Sequence, residues 1–406
     1  MLEEILTFCV NLSRQLIVSG ANLERVYLAV KFICKTYNLQ DVSIFLLSSH
    51  ISVSASDSDG HYAARQVSIP PAGIHLERLR TLNQLSYKVA EIKPNPKTLS
   101  QMLSRAMTVK EYSDSIIILG RIIAMSSLSF IFGGNFLDLL PVICVTVIIH
   151  YLLNYFERSG LDRIVMNILI MFIAASFAIL FVYSGLGDNL AVILITVSMI
   201  VIPGIPLVNA MRNLLCGHEN NGILQMLKIF IETMALMLGV YIALVVFKGF
   251  VMMRPIDASH VNNYLLIVLS YFASIGFAIV FQIPVKDLWL AGLGGGLTRI
   301  ALILLAPFNF SRLLYMTLSA LVAALYAEFF AFARHQPSTY FAYPSIIPLV
   351  PGDLFFYVIT GLYLGNIEFV QVNALNCLYS LSGLSLGFVL SPTVAHYVRR
   401  IKLRQL

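Results

Sequence analysis

Two Pro-Gly steps lie inside apolar stretches of membrane-crossing length. One is Pro203-Gly204 within Val201-Ile202-Pro203-Gly204-Ile205-Pro206, the other Pro351-Gly352 within Ile347-Pro348-Leu349-Val350-Pro351-Gly352. Proline lacks an amide donor and its ring clashes with the preceding turn, so each step breaks a spanning helix. The backbone groups freed in hydrocarbon need partners, which a bound polar molecule and water can supply. Each half-helix starting at the glycine turns its N-terminal dipole inward, where it suits a carboxylate. Pro203, Gly204, Pro351 and Gly352 are therefore candidate substrate-binding positions. Asn209 and Tyr357, at matching places on the two half-helices, add hydrogen-bonding side chains. The alternative reading of both steps is a kink solvated by neighbouring helices.

Asp353 directly follows the second step, where a carboxylate can carry a coupling proton or cap the half-helix. Four further ionisable residues fall within apolar stretches: Arg121, Glu232, Arg299 and Glu328. Each costs roughly 2.5–3.5 kcal/mol at the centre of a bilayer, so each is expected to face a cavity or a partner. Arg121 and Arg299 are candidate partners for Glu232, whereas Glu328 lies near the end of its stretch. His150 and Arg299 stand 149 residues apart and form a candidate asymmetric pair of cations.

The chain carries no H-E-x-x-H, G-x-S-x-G or nucleotide-binding pattern. Gly292 and Gly294-Gly295-Gly296 precede no Lys-Ser/Thr, so they read as close helix packing, not a phosphate loop. Five cysteines without a C-x-x-C pair (Cys9, Cys34, Cys144, Cys216, Cys377) read as packing thiols. No metal, cofactor or catalytic residue is expected. A hydrolytic N-terminal region built on Ser48, Ser49, His50, Ser52, Asp57 and His61 is the rival reading, although these residues lack a nucleophile geometry.

The elements that must position these residues follow from composition. Of 406 residues, 58% are hydrophobic and 12% charged, about half the charge of a soluble domain. Residues 1–110 hold 20 of the 48 charged side chains. The expected fold is a polytopic α-helical membrane protein with a small N-terminal α+β cytoplasmic domain. In that domain, helices are expected over 2–17, 21–37, 74–90 and 98–108, with Ser19 as the cap of the second. Strands are expected over 42–56 and 61–69, joined by Asp57-Ser58-Asp59-Gly60. The acidic start Met1-Leu2-Glu3-Glu4 is unlike a signal peptide.

Ten apolar stretches follow, near 115–133, 138–155, 163–184, 189–212, 222–247, 261–283, 287–306, 311–333, 340–364 and 370–396. With the N-terminal domain inside, ten Lys/Arg fall on inner loops and tail and three on outer loops, which places both termini in the cytoplasm. Pro203-Gly204, Gly217 and Gly239 match Pro351-Gly352, Gly365 and Gly387 at an offset of 148, and Asp138 matches Asp287 at 149. Five spans per half is an odd number, so a direct repeat makes an inverted pair of five-helix repeats. The domains are read as 1–112, 113–250 and 258–406. The net charge of +6 reflects membrane orientation, so no nucleic-acid partner is expected. The expected partners are a small-molecule substrate, protons as coupling ion and the lipid bilayer, with a homo-oligomer left open.

Several segments resemble the bacterial threonine/serine exporters: Ser19-Gly20-Ala21 followed by Arg25-Val26, the Leu76, Leu79, Leu82-Asn83 segment, Val201 to Ala210, and Ile346 to Gly352. The resemblance covers an N-terminal module to about 250 and a smaller C-terminal module from about 260. Asn22 and Leu23 stand where family members typically carry Glu-Thr. Gly217-His218-Glu219-Asn220-Asn221-Gly222 is similar to a two-component type associated with succinate export. The resemblance implies a secondary-active exporter of L-threonine and L-serine in the bacterial inner membrane, and not an enzyme. Export of a C4 dicarboxylate such as succinate is the alternative. A passive channel is a further rival.

Overall fold

Leu2, Ile5, Leu6, Cys9, Leu12 and Leu16 recur at helical spacing and form the buried face of α1 (Leu2–Val18). Val26, Val30, Ile33 and Cys34 do the same for α2 (Leu23–Thr36). The computed structural model describes residues 1–47, 49–70, 73–248, 261–334, 336–363 and 365–404. It packs α1 against a three-stranded antiparallel sheet in the order β1 (Gln40–Leu46), β2 (His50–Ser56), β3 (Tyr62–Ser68). α3 (Leu76–Ile92) and α4 (Leu99–Met107) complete this domain.

Two local expectations change. The single strand expected over 42–56 is two strands, reversed where Leu47 and His50 exchange backbone hydrogen bonds. Apolar alternation continues on both sides of this tight reversal, so periodicity hides it. The cap of α2 is Asn22, whose side chain accepts the Arg25 amide at 2.9 Å. Ser19 instead ends α1, because Gly20 at φ +97° turns the chain there.

From Asp114 the chain forms α5 (Asp114–Ile131), α6 (Phe136–Ser159), α7 (Arg163–Tyr183), the short pair α8 (Leu190–Ser198) and α9 (Gly204–Leu215), and α10 (Glu219–Val246). The same order then recurs as α11 (Asn263–Val280), α12 (Val285–Leu305), α13 (Arg312–Arg334), the short pair α14 (Ser338–Ser345) and α15 (Gly352–Tyr363), and α16 (Ile367–Arg404). Eight of the described helices are long and apolar enough to cross a bilayer, which makes this a polytopic helical membrane protein. The α14 segment and the start of α15 form one further candidate, bent by 46° at its break. Most of the linker expected between the halves, 249–260, lies outside the described residues.

The two series match element by element. α5 and α11 are both 18 residues long, and α9 and α15 both 12. Gly217 and Gly365 follow α9 and α15 at φ +82° and +68°, a conformation glycine adopts without steric cost. α7 packs on α10 as α13 packs on α16. At each crossing a glycine lets two backbones meet: Gly239 faces Ile168 and Phe172, and Gly387 faces Thr317, Ala320 and Leu321.

Buried aspartates pin the entry to each short pair. Asp138 accepts the Asp188 and Asn189 amides at 2.8 and 2.9 Å, at the start of α8. Asp287 accepts the Tyr340 hydroxyl at 3.0 Å, near the start of α14. The α+β domain seats on the same end of the helices as α14. Its Leu76 amide donates to the Phe281 carbonyl at 2.8 Å, and the Tyr112 hydroxyl to the Ile283 carbonyl at 2.7 Å.

Two predictions follow from this packing. Gly239→Val and Gly387→Val each push a side chain into an opposing backbone and are expected to destabilise by about 2–4 kcal/mol. Gly73→Ala, with open space around it, is the neutral control. Thermal midpoints of the purified protein read both. His75 caps α3 by accepting the Arg78 amide on Nδ1, and this requires that nitrogen unprotonated. Burial, then the Arg78 charge, hold its pKa below the usual value against the opposing pull of Glu111. The unfolded chain therefore binds this proton more readily, so stability is full above about pH 6.5 and declines below it. His75→Asn, a cap that does not titrate, is expected to flatten that decline; an unchanged slope refutes the assignment.

Candidate substrate site at the paired helix breaks

At the first break the amides of Met199, Ile200, Val201 and Ile202 turn back onto carbonyls of α8, and the Gly204 amide bonds to the Ile202 carbonyl at 2.8 Å. The second break repeats this, with the Gly352 amide on the Val350 carbonyl at 2.8 Å. α9 and α15 begin at the two glycines, as the sequence implies. The breaks interlock. A Cβ on Gly204 would come 2.6 Å from Val350 Cγ1, and one on Gly352 would overlap Met199 Sδ. A side chain at either point would have to displace Val350 or Met199.

Asp353 lies in the first turn of α15, with its own and the Leu354 amide on its carboxylate. The second half-helix is thereby self-capped. α9 carries an isoleucine at the equivalent position, and no side chain caps it.

The intramembrane charges form two matched pairs of positions. Arg121 is hydrogen-bonded to His150 at 2.9 Å, and 149 residues later Arg299 Nε donates to Ser270 Oγ at 3.0 Å. The same two sites thus hold a guanidinium on opposite members of the pair. Arg163 lies 3.8 Å from Glu232, and its counterpart Arg312 donates to Ser380 Oγ at 2.8 Å. Glu232 therefore pairs with Arg163, and neither Arg121 nor Arg299 is its partner. In the second half a serine replaces the acid, and the fields of Arg312 and Arg299 fall on Asp353.

On the side of the α+β domain, α9, α13, α14 and α16 enclose a cleft lined by Asn209, Arg212, Glu328, Ser338, Thr339 and Tyr343. Its volume of about 20 Å³ holds roughly one water. Tyr343 bridges it: the hydroxyl accepts from Asn209 Nδ2 and donates to the Gly20 carbonyl, both at 2.9 Å. Arg212 reaches Glu24 at 3.4 Å. Beyond these contacts lies a chamber of about 520 Å³ between the α+β domain and the helix ends. Glu328, Ser338 and Thr339 line both spaces. The positions matching Glu328, Ser338, Thr339 and Tyr343 in the other half are Ile179, Leu190, Ala191 and Ile195, all buried in a continuous apolar cluster, and Asn209 is matched by the half-buried Tyr357 packed against that cluster. One face of the breaks is polar and narrowly open; its counterpart is packed shut.

Of the residues the sequence singles out, Asn209 and Glu328 meet in the cleft, while Asp353, Arg299 and Tyr357 cluster near the second break. Tyr357 packs edge-on against Phe369, with ring centroids 6.0 Å apart. Sequence reasoning missed Tyr343, Arg212, Ser338, Thr339 and Arg312. The pair Tyr340 and Tyr343, three apart and just before a break, is the signal that could have found the first. Ser48 lies outside the described residues; among the rest, neither His50 nor His61 is hydrogen-bonded to a serine hydroxyl, and His61 Nδ1 lies 3.2 Å from Asp57.

The sequence model of a threonine/serine exporter family matches residues 7–247, and a second threonine/serine exporter model matches residues 266–394. No curated protein and no solved structure matches the chain.

The Tyr343 bridge makes a direct prediction. Tyr343→Phe removes the hydroxyl that holds the Gly20 turn, a loss of about 1 kcal/mol. Hydrogen exchange in residues 17–24 is expected to speed roughly fivefold. Tyr340→Phe, which cuts the bond to Asp287 instead, is expected to leave that segment unchanged.

Proposed function

The chain belongs to the threonine/serine exporter family, and on that premise we propose that it is a secondary-active exporter of L-threonine and L-serine that alternates access around the two interlocked breaks. Family membership supports a membrane exporter of small amino acids and points to a transporter rather than an enzyme. The observation that carries the alternating-access reading is the pairing of a narrow polar cleft with an apolar, packed counterpart at equivalent positions. Two halves that exchange conformations would close the first and open the second.

The finer reading has α8 with α9, and α14 with α15, each as one broken span, ten spans in all. The halves 113–250 and 258–406 form inverted five-helix repeats behind a cytoplasmic domain of residues 1–112. Matched element lengths and matched helix contacts support this. Both termini face the cytoplasm of a bacterial inner membrane, supported by the bias of Lys and Arg among the loops.

For coupling, Asp353 is the proton carrier: a carboxylate at a break, facing two arginines. Protonation would remove its charge and release Arg299 and Arg312 for an incoming carboxylate. That same excess of guanidinium favours a second reading, export of a C4 dicarboxylate such as succinate.

Counterflow in proteoliposomes preloaded with threonine, serine or succinate separates these. Threonine and serine are expected to drive accumulation of labelled substrate. Accumulation with succinate alone overturns the amino-acid reading. For coupling, Asp353→Asn is expected to abolish stimulation by a pH gradient while exchange persists. An intact pH response in that variant removes Asp353 from the coupling step.

A further inference from the structure

The 520 Å³ chamber has one wall from the α+β domain, including Arg25, Asn83 and Tyr87, and another from α13 and α14, including Glu328, Ser338 and Thr339. The guanidinium of Arg25 lies over the Tyr87 ring, 4.8 Å from its centroid, and Nη1 donates to the Tyr87 hydroxyl at 3.1 Å. Tyr87 holds the group without neutralising it. Among the described residues no carboxylate lies within ion-pair distance of Arg25, and no cation within ion-pair distance of Glu328. Among the described residues, one positive and one negative group thus line the same chamber without an ion-pair partner. Chambers built this way match a ligand that carries both charges.

We infer that the chamber is a loading site for a zwitterionic α-amino acid, in which Arg25 receives the carboxylate and Glu328 the ammonium. The guanidinium fork suits a carboxylate, and pinning by Tyr87 lowers the entropy lost on binding. A dicarboxylate would set its second charge against Glu328, and a cation would meet Arg25, so the chamber selects against both. The hydroxyls of Ser338 and Thr339 offer hydrogen bonds to a polar side chain. Because Glu328, Ser338 and Thr339 also line the cleft, the ammonium keeps its partner as the ligand moves toward Asn209 and Tyr343. The way is barred here by the Tyr343–Gly20 hydrogen bond, made by the turn between α1 and α2, and by the Arg212–Glu24 pair, made by the first turn of α2. Passage requires that segment to withdraw. The role of Arg25 brings the N-terminal domain into the transport path, and the identity of the ligand rests on the exporter reading above.

Three ligands test this with the full chain in lipid nanodiscs: L-threonine, L-threoninamide (which lacks the carboxylate) and 3-hydroxybutanoate (which lacks the ammonium). Binding is read by calorimetry for each. Arg25→Gln is expected to weaken threonine at least about tenfold without weakening threoninamide. Glu328→Gln is expected to weaken threonine and threoninamide without weakening 3-hydroxybutanoate. Arg25→Lys and Glu328→Asp, which keep the charges, are expected to retain most of the affinity and stand in should a neutral variant fail to fold. Equal effects on all three ligands, or none, overturn the chamber assignment. If wild type supports threonine or serine counterflow while both neutral variants bind like it, only the chamber assignment falls. If wild type shows no such counterflow, the exporter reading fails with it.

Discussion

A polypeptide cannot leave its backbone polar groups unpaired in an apolar interior, and this chain breaks two helices there. The rest of the membrane region is arranged around how those breaks are satisfied. Each folds its amides into tight local turns, and each carries a glycine where a side chain of the other segment packs against it. Val350 against Gly204 and Met199 against Gly352 make the two breaks one unit. Asp138 and Asp287 hold the entries to the two broken segments, and the crossings at Gly239 and Gly387 fix the helices behind them. Movement at one break must be felt at the other.

The frame is shared between the halves, but the chemistry is not. Glu232 lies 3.8 Å from Arg163, whereas Arg312 donates to a serine hydroxyl at the corresponding place. The other intramembrane guanidinium sits on α5 in one half and on α12 in the other. Asp353 has an isoleucine as its counterpart, and Glu328 likewise. In the second half, charged side chains near the break come from α12, α13 and α15: Arg299, Arg312 and Asp353. The first half supplies mainly Asn209, Arg212 and an apolar wall. Burying charge costs several kcal/mol wherever it is done, and both halves bear that cost, at Asp138 and Glu232 in the first and at Asp287 in the second.

Eight of the ten expected spans and both breaks were legible in the sequence because they rest on local physics: apolar length, and the steric effect of proline. The start of α9 at Gly204 and of α15 at Gly352 followed directly. Pairings across long separations were not legible. Glu232 lies 69 residues from Arg163, and nothing in its neighbourhood marks that partner over Arg121. Tyr343 was invisible for the same reason: its bond to Gly20 joins residues 323 apart. The reversal between β1 and β2 escaped because apolar alternation continues through it. Ser19-Gly20-Ala21 and Arg25 carried the resemblance to exporters without revealing why they sit there; the structure places them against the mouth of the cleft.

One of two equivalent surfaces is open while the other is packed, and the proposed transport cycle exchanges them. Ile195 on α8 tests it most directly, since it occupies the position of Tyr343 on the surface now closed. With the exposed Cys216 and half-buried Cys144 replaced, an Ile195→Cys protein in proteoliposomes can be probed with a membrane-impermeant thiol reagent. The account predicts slow labelling without substrate and markedly faster labelling during exchange, with the reagent on the side opposite the α+β domain. Labelling that is equally slow with and without turnover would contradict it, because the packed surface would then never open.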